Sequence, residues 1–233
     1  MKNLIILLTI SLFTATNCFS QDKGYIAISL GSSTPIGDFA GKDPNNNAAG
    51  YAKTGAIFDI SFGYKFGKNF GISALLRGQA NTTDAQAIAD QLTIQNPGVS
   101  GTVDSKAWGI GGYMLGGYGS FPISEKVSFE SKAMFGFLSA TSPEITVNLI
   151  GPGGTAWVKQ NSSSSSTFAY LLSVGFKYNT GKRICLLANF DYLGAKPEFS
   201  NVETTSSTGS SSKSTFSQSF GTINFGVGIG YRL

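Results

Sequence analysis

Residues 222–233 read TINFGVGIGYRL, and within them an apolar side chain occupies every second position from Ile223 to Leu233. The intervening positions carry only Thr, Asn, Gly or Arg. Because successive side chains of a β-strand point to opposite faces, one face of this strand is wholly apolar and the other is polar or bare. This pattern is typical of a strand with hydrocarbon on one side and a narrow polar lumen on the other.

Seven other stretches of the chain repeat the two-residue period. They lie at residues 25–34, 55–66, 70–79, 107–121, 127–140, 167–178 and 183–193. Each is long enough for a tilted strand to cross a bilayer core, which takes about 9–11 residues. In the glycine-rich stretch 107–121, two choices of outward face remain open, one with Trp108, Ile110 and Met114 and one with Tyr113, Leu115 and Phe121.

The segments that connect these stretches alternate between short and long. The short ones are residues 67–69, 122–125 and 179–182, and the long ones are residues 35–54, 80–106, 141–166 and 194–219. Bacterial outer-membrane barrels have short periplasmic turns and long extracellular loops. The sequence therefore predicts an all-β fold, an eight-stranded antiparallel transmembrane β-barrel with short periplasmic turns and long extracellular loops.

The long loops contain some local structure of their own. We expect a short helix at Asp84–Leu92 and a hairpin formed by Ile145–Leu149 and Thr155–Lys159. The two runs of the hairpin are too short to cross a membrane. The serine-rich segments 162–166 and 206–212 are expected to be flexible loop tips.

The composition agrees with a membrane barrel and excludes a helical membrane protein. A chain of 233 residues suits one domain. The mean hydropathy is +0.06, and no apolar run after the N-terminus approaches the roughly 20 residues of a spanning helix. Alternating barrel strands average to such a neutral value.

The first twenty residues are predicted to be a secretory signal peptide, so that residues 21–233 form the barrel domain. Lys2 supplies the positive charge, Leu4–Phe13 the apolar core, and 18-CFS-20 the cleavage site. A membrane anchor is disfavoured because the apolar run is too short. Lipidation at Cys18 is a further alternative, which Asn17 disfavours.

Cleavage would remove Lys2, so the net charge of the chain would fall from +4 to +3. This small charge, without a basic stripe of interleaved aromatics, gives no case for a nucleic-acid partner. Cys185 would be the remaining cysteine, which excludes an intramolecular disulfide, and its place in a strand predicts a packed thiol.

Charged residues in the inward rows are the main candidate site. A tight turn at residues 67–69 places Asp59 directly opposite Arg77, with both side chains in the lumen. The expected lumen charge network is Asp59, Arg77, Glu130, Lys132, Lys177 and Asp191. Charges inside so narrow a barrel must pair. The favoured interpretation is a filled structural core, and the alternatives are a narrow ion path or, least favoured, a catalytic carboxylate pair.

Aromatic side chains near the strand ends are expected at the two membrane interfaces. They are Tyr25, Tyr64, Phe66, Phe70, Phe121, Tyr178, Tyr192 and Tyr231.

The case against an enzyme is that the chain contains no histidine to act as a base. No metal site or cofactor is predicted, since histidine ligands are lacking and one cysteine would remain. Five aspartates lie on the expected extracellular loops, where solvated surface is favoured over calcium binding. They are Asp38, Asp43, Asp84, Asp90 and Asp104.

From about Gly24 to Leu233 the chain resembles the small outer-membrane β-barrel superfamily that includes the OmpA membrane domain and OmpX. The composition and Gln21 resemble the porin-like or PorT-type barrels of Bacteroidota. The resemblance implies a bacterial outer-membrane location and contact with outer-membrane lipid and lipopolysaccharide. It also implies assembly machinery that reads the C-terminal strand. Members usually end on an aromatic residue, whereas here Tyr231 is the last aromatic and Leu233 follows it.

Three functions remain open at this stage. The favoured one is a non-enzymatic surface barrel that maintains the envelope and presents loops to a partner that the sequence does not identify. The first alternative is a small porin-like channel for ions or solutes, with Asp59, Arg77, Lys132 and Asp191 at its constriction. The second is a soluble β-barrel carrier of an apolar ligand, which would need the apolar rows inside the barrel.

Overall fold

The computed structural model describes residues 23–181 and 183–233, so the predicted signal peptide lies outside the described residues. The described residues form thirteen strands, a 3-10 helix (Gly37–Phe39) and one α-helix, α1 (Ala85–Gln95). The strands are β1 (Gly24–Pro35), β2 (Ala52–Lys65), β3 (Phe70–Thr83), β4 (Ser100–Ser105), β5 (Trp108–Pro122), β6 (Val127–Thr141), β7 (Ile145–Gly151), β8 (Gly154–Gln160), β9 (Ser164–Asn179), β10 (Ile184–Ala195), β11 (Glu198–Ser206), β12 (Ser211–Ser217) and β13 (Phe220–Arg232).

Eight of the strands close into an antiparallel barrel, which confirms the predicted fold. Their order around the ring is β1-β13-β10-β9-β6-β5-β3-β2, and β1 pairs with β2 to complete it. The seam joins β1 to β13 in a continuous register from Tyr25 opposite Arg232 to Pro35 opposite Thr222. The turns β2–β3, β5–β6 and β9–β10 are short, and the other connections of the ring are long. We call the two ends of the barrel the turn end and the loop end.

The apolar rows of the barrel strands face outward. Ile28, Leu172 and Val227 are each exposed to between 51% and 55% of their surface. Neighbouring strands continue the same outer band with Leu76, Phe135, Phe190 and Ile229. The soluble-carrier alternative required these rows inside, and the structure does not have that geometry. In the described part of the chain, no helix is long and apolar enough to cross a membrane.

The structure settles the facing of β5 and corrects one aromatic assignment. Trp108 and Met114 are buried inside the barrel, whereas Tyr113 and Leu115 face outward. Tyr25 was expected at a membrane interface, but this was wrong, because its side chain is only 1% exposed. It lies one position from the outward Ile26, and adjacent side chains of a strand point to opposite faces.

The long loops fold into a second sheet rather than irregular coil. Its order is β12-β11-β8-β7-β4, and α1 packs against β4. The predicted helix and the predicted hairpin are present as α1 and as β7 with β8. The prediction for residues 162–166 was wrong in part, because Ser164–Asn179 forms β9 and pairs with β6. Residues 206–212 lie at the turn between β11 and β12, a hairpin that sequence analysis missed.

Glycines allow the backbones of β5 and β6 to lie close together on the inner side of the barrel. A Cβ atom on Gly116 would lie 2.0 Å from the carbonyl oxygen of Ala133, and one on Gly136 would lie 2.0 Å from that of Tyr113. No side chain can occupy such positions without moving the neighbouring backbone. These glycines therefore permit the tight curvature of an eight-stranded ring.

A charge on the outer face should destabilise the barrel only where that face contacts lipid. We expect Leu172→Arg, midway along β9, to lower the unfolding free energy by about 2–4 kcal/mol, because the guanidinium would enter the bilayer core. The matched control is Ile150→Arg, since Ile150 on β7 is 59% exposed but lies outside the barrel. Urea unfolding in liposomes measures both, and equal losses would contradict a lipid-facing β9.

Candidate functional site

The centre of the lumen is occupied by an arginine cluster formed by Arg77, Asp59 and Asp191. Asp59 on β2 lies directly opposite Arg77 on β3 in the sheet register. Arg77 donates from Nε to Asp59 Oδ1 at 2.8 Å and from Nη2 to Asp59 Oδ2 at 2.6 Å. The same Nη2 donates to Asp191 Oδ2 of β10 at 2.6 Å. This geometry joins opposite walls of the barrel through charge-assisted hydrogen bonds.

A glutamate cluster of Glu130, Lys177, Tyr118 and Tyr25 lies nearer the turn end. Lys177 Nζ is 2.8 Å from Glu130 Oε1, which also accepts a hydrogen bond from the Tyr118 hydroxyl at 2.5 Å. The Tyr25 hydroxyl donates to Glu130 Oε2 at 3.2 Å. Lys177 also lies 5.1 Å from the centre of the Tyr25 ring. The carboxylate is therefore held by a cation and two phenols, so it has no freedom to act on a substrate.

Lys132 lies between the two clusters. Its Nζ is 5.8 Å from the centre of the Tyr25 ring, and its side chain lines the same cavity as Asp59, Arg77 and Asp191. The six charged residues of the lumen comprise three acids and three bases, so their charges balance. The cavity among them measures about 20 Å³, which is room for about one water molecule.

Apolar side chains fill the lumen beside the arginine cluster and from there towards the loop end. Met114, Met134, Leu138 and Leu171 are fully or almost fully buried there. Beyond them lies a cluster of four aromatic residues, Trp108, Phe39, Phe199 and Phe220. The Trp108 ring centre lies 5.6 Å from that of Phe39 and 5.5 Å from that of Phe220. Charged, apolar and aromatic side chains together thus fill the lumen.

The structure brings all six predicted lumen charges inside the barrel, but divides them into two clusters. Sequence analysis missed Tyr25 and Tyr118 as partners of Glu130. For Tyr25 the signal was available, because its position alternates with the outward Ile26. For Tyr118 it was not, because the facing of residues 107–121 was left open. It also missed the contact of Asp191 with Arg77, which depends on how the ring closes and has no signal within either strand.

The expected interface aromatics other than Tyr25 lie on the outer wall or at the strand ends. Phe66, Phe70 and Tyr178 are exposed at the turn end, and the rings of Phe70 and Phe121 are in edge contact at 5.6 Å. Tyr64 and Tyr231 lie at the same end. Tyr192 lies towards the loop end, where its hydroxyl is 3.5 Å from that of Tyr170.

Most of the loop aspartates accept local hydrogen bonds. Asp84 caps α1 by accepting from the Ala87 backbone N–H at 3.2 Å. The hydrogen bond from Lys42 at 2.6 Å lowers the pKa of the Asp84 carboxyl. Asp43 and Asp38 accept hydrogen bonds from Asn45 and Asn46. Across residues 23–181 and 183–233, no group of three or more acidic, histidine or cysteine side chains is arranged to hold a metal ion.

Comparison with known proteins finds similarity of shape only. No protein-family model and no curated protein matches the chain. It is similar to the attachment invasion locus protein Ail of Yersinia pestis, with 15% identity over 91% of this chain and 99% of that chain, at a TM-score of 0.43. Neisserial surface protein A matches with 10% identity over 90% and 97% of the two chains, at 0.44. A major outer membrane protein of Thermus thermophilus matches with 11% identity over 90% and 99%, at 0.48.

At these TM-scores the assignment rests on the geometry of the chain itself. Its barrel strands close into a ring with an apolar outer band, and its charges are enclosed within that ring. In water such a band would be unstable, whereas in a bilayer the closed ring leaves no backbone group unpaired at a sheet edge. The chain is therefore an eight-stranded β-barrel of the transmembrane type.

Proposed function

We propose that this protein is a non-enzymatic outer-membrane barrel whose filled lumen supports a folded platform of extracellular loops. The platform is the loop sheet of β4, β7, β8, β11 and β12 together with α1. Its role is contact with molecules outside the cell. The wall of the barrel contributes mechanical support to the envelope.

The observation that carries this proposal is the contrast between the interior and the loops. The interior is filled from the glutamate cluster to the aromatic cluster, and the cavity at the arginine cluster is about 20 Å³. The loops, in contrast, form paired strands with continuous registers, such as Ser100–Ser105 against Ile145–Ile150. A protein that only anchored itself would have no use for so much ordered structure outside the membrane.

Enzyme chemistry has little support in this arrangement. The sequence contains no histidine, and the inward carboxylates of Asp59, Glu130 and Asp191 are paired with cations. The cavity beside them has no room for a substrate. Catalysis would require both a free base and an accessible pocket next to it.

The proposed partners within the envelope are lipid, lipopolysaccharide and the assembly machinery. Exposed Lys53, Lys106 and Lys196 lie near the loop end, where lipopolysaccharide phosphates would be. The alternating strand β13 ends with Tyr231 and Arg232 and would be the segment that the assembly machinery reads.

The function is tested by single-channel recording in planar bilayers. We expect the purified barrel to insert without steady conductance, because charged, apolar and aromatic side chains together fill the lumen. Insertion is verified independently by the mobility shift between unheated and boiled samples on SDS gels. Steady open channels would contradict the proposal.

The second candidate function is a small ion channel, favoured because Asp59, Arg77, Lys132 and Asp191 line one cavity in the lumen. A channel through that cavity should change its ion selectivity in Lys132→Gln. The matched control is Lys68→Gln in the turn between β2 and β3, which should leave selectivity unchanged. Conductance whose ion selectivity changes in Lys132→Gln but not in Lys68→Gln would support the channel and contradict the first proposal.

The arginine cluster should dominate the stability of the barrel. We expect Arg77→Met to lower the unfolding free energy by about 3–5 kcal/mol, because Asp59 and Asp191 would remain buried without their cation. The triple variant Asp59→Asn, Arg77→Met, Asp191→Asn should regain most of this loss. Urea unfolding in liposomes measures both.

The matched control removes a partly exposed pair outside the membrane. Lys42→Met breaks the contact of Lys42 with Asp84, whose side chains are 51% and 11% exposed. This change should cost less than about 1 kcal/mol. Equal losses in Lys42→Met and Arg77→Met would show that the arginine cluster is not the main polar support of the barrel.

A further inference from the structure

A cavity of about 340 Å³ lies at the loop end, outside the filled part of the lumen. We call it the loop cavity. Its walls come from the loop after β1, from α1, from the start of β7 and from the segment around β12, and Trp108 forms part of its floor. A volume of this size falls in the range of sites for small molecules, about 300–1,000 Å³.

Among the residues that the structure describes, the lining of the loop cavity contains no charged side chain. Ile88 and Leu92 of α1, Ile145 of β7 and Phe216 of β12 provide an apolar surface. Amide side chains, including those of Gln91 and Gln95, provide hydrogen-bonding groups. Mostly apolar walls with a few placed polar groups are the usual composition of a small-molecule site.

Ion pairs beside the loop cavity connect the segments of its walls. They also keep these charged side chains out of its lining. Glu144 precedes Ile145 and contacts Lys159 of β8 at 3.1 Å and Lys106 at 3.4 Å. On the other side, Asp84 contacts Lys42 at 2.6 Å. These pairs tie together the segments that surround the cavity. An ionic ligand would therefore find no unpaired countercharge in its lining.

Tyr51 shows that the backbone of the wall is held in a specific conformation. Its φ angle is 51°, in the left-handed region that aromatic residues rarely adopt. The conformation is held by hydrogen bonds from its N–H to the Gly41 carbonyl at 3.0 Å and from the Asp84 N–H to its own carbonyl at 2.7 Å. Tyr51 lines the cavity. Strained residues held by their surroundings are concentrated at binding sites.

The floor of the cavity separates it from the lumen. Trp108 donates from Nε1 to the Gly50 carbonyl at 3.0 Å, and its ring packs against Phe39, Phe199 and Phe220. A ligand that enters from outside would stop at this floor. The ring of Trp108 is also only 4% exposed, so it presents no broad face on which a sugar could stack.

We propose that the loop cavity binds a small uncharged molecule with an apolar body and a few hydrogen-bonding groups. The apolar walls contact the body, and the amides contact its polar groups. Charged analogues are excluded because the cavity offers them no partner. This site lies outside the filled lumen, so the proposal does not depend on the outcome of the conductance test.

Tryptophan quenching provides the test, because the chain has only two tryptophans. Trp157→Phe, at an exposed position on β8, leaves Trp108 as the reporter at the cavity floor. The probe is 6-bromo-2-naphthol, which is neutral at pH 7, added to this variant in lipid nanodiscs. We expect saturable quenching that decahydro-2-naphthol reverses, since this saturated analogue neither absorbs nor emits in the tryptophan range. The anion 6-bromo-2-naphthoate should not quench saturably, and maltose should not compete.

Two variants on α1 test whether the quenching comes from binding in the loop cavity. Adding Leu92→Glu to the reporter should weaken binding by about tenfold, because a carboxylate would enter the apolar wall. The matched control is Ile94→Glu, since Ile94 is 71% exposed on the same helix, and it should change affinity by no more than about twofold.

Several outcomes would overturn the proposal. Quenching that rises linearly with probe concentration would mean partitioning into lipid only. Equal affinity in the two glutamate variants would place the probe elsewhere. Competition by maltose, or equal binding of the naphthoate, would exclude a neutral apolar ligand class. If Leu92→Glu fails to fold, saturation and reversal in the reporter variant still decide the question.

Discussion

Backbone groups within a bilayer must find their hydrogen-bond partners inside the protein, because lipid chains offer none. A sheet meets this requirement only when it closes on itself, and here the pairing of β1 with both β2 and β13 completes the ring. Closure also explains the strict alternation of side chains, since one face of every barrel strand contacts hydrocarbon. A ring of eight strands is narrow, so its interior must be filled by the opposite row.

Because the ring is filled, the loops are the part of the protein that remains available for contacts with other molecules. Three acids and three bases occupy the part of the lumen nearer the turn end. Arg77 donates hydrogen bonds there to two carboxylates from opposite walls. Such a set is stable only as a whole, because a buried charge without its partner is costly. Apolar and aromatic side chains complete the filling up to Trp108. The proposed surface for recognition is therefore the loop sheet, where backbone pairing continues beyond the barrel.

Sequence reasoning succeeded where a strand or helix carries its own pattern of side chains. It failed where that pattern is missing or where a contact joins distant strands. The alternation in residues 222–233 and the tight turn at residues 67–69 sufficed to predict the barrel and to place Asp59 opposite Arg77. The facing of β5 could not be decided, because its many glycines carry no side-chain signal. Contact between Asp191 and Arg77 depends on ring closure, which no single strand encodes. The hairpin of β11 and β12 was missed because serine and threonine on both faces give no alternation.

The seam between β1 and β13 has a consequence for how the barrel forms. Ile28, in the first strand of the ring, is paired with Ile229, in the last. Until β13 arrives, β1 and β10 each present an unpaired edge to their surroundings, and such edges invite pairing with other chains. Contacts between residues so far apart in the chain also form slowly, because the intervening chain must be ordered first. The ring therefore closes only when its final strand is in place.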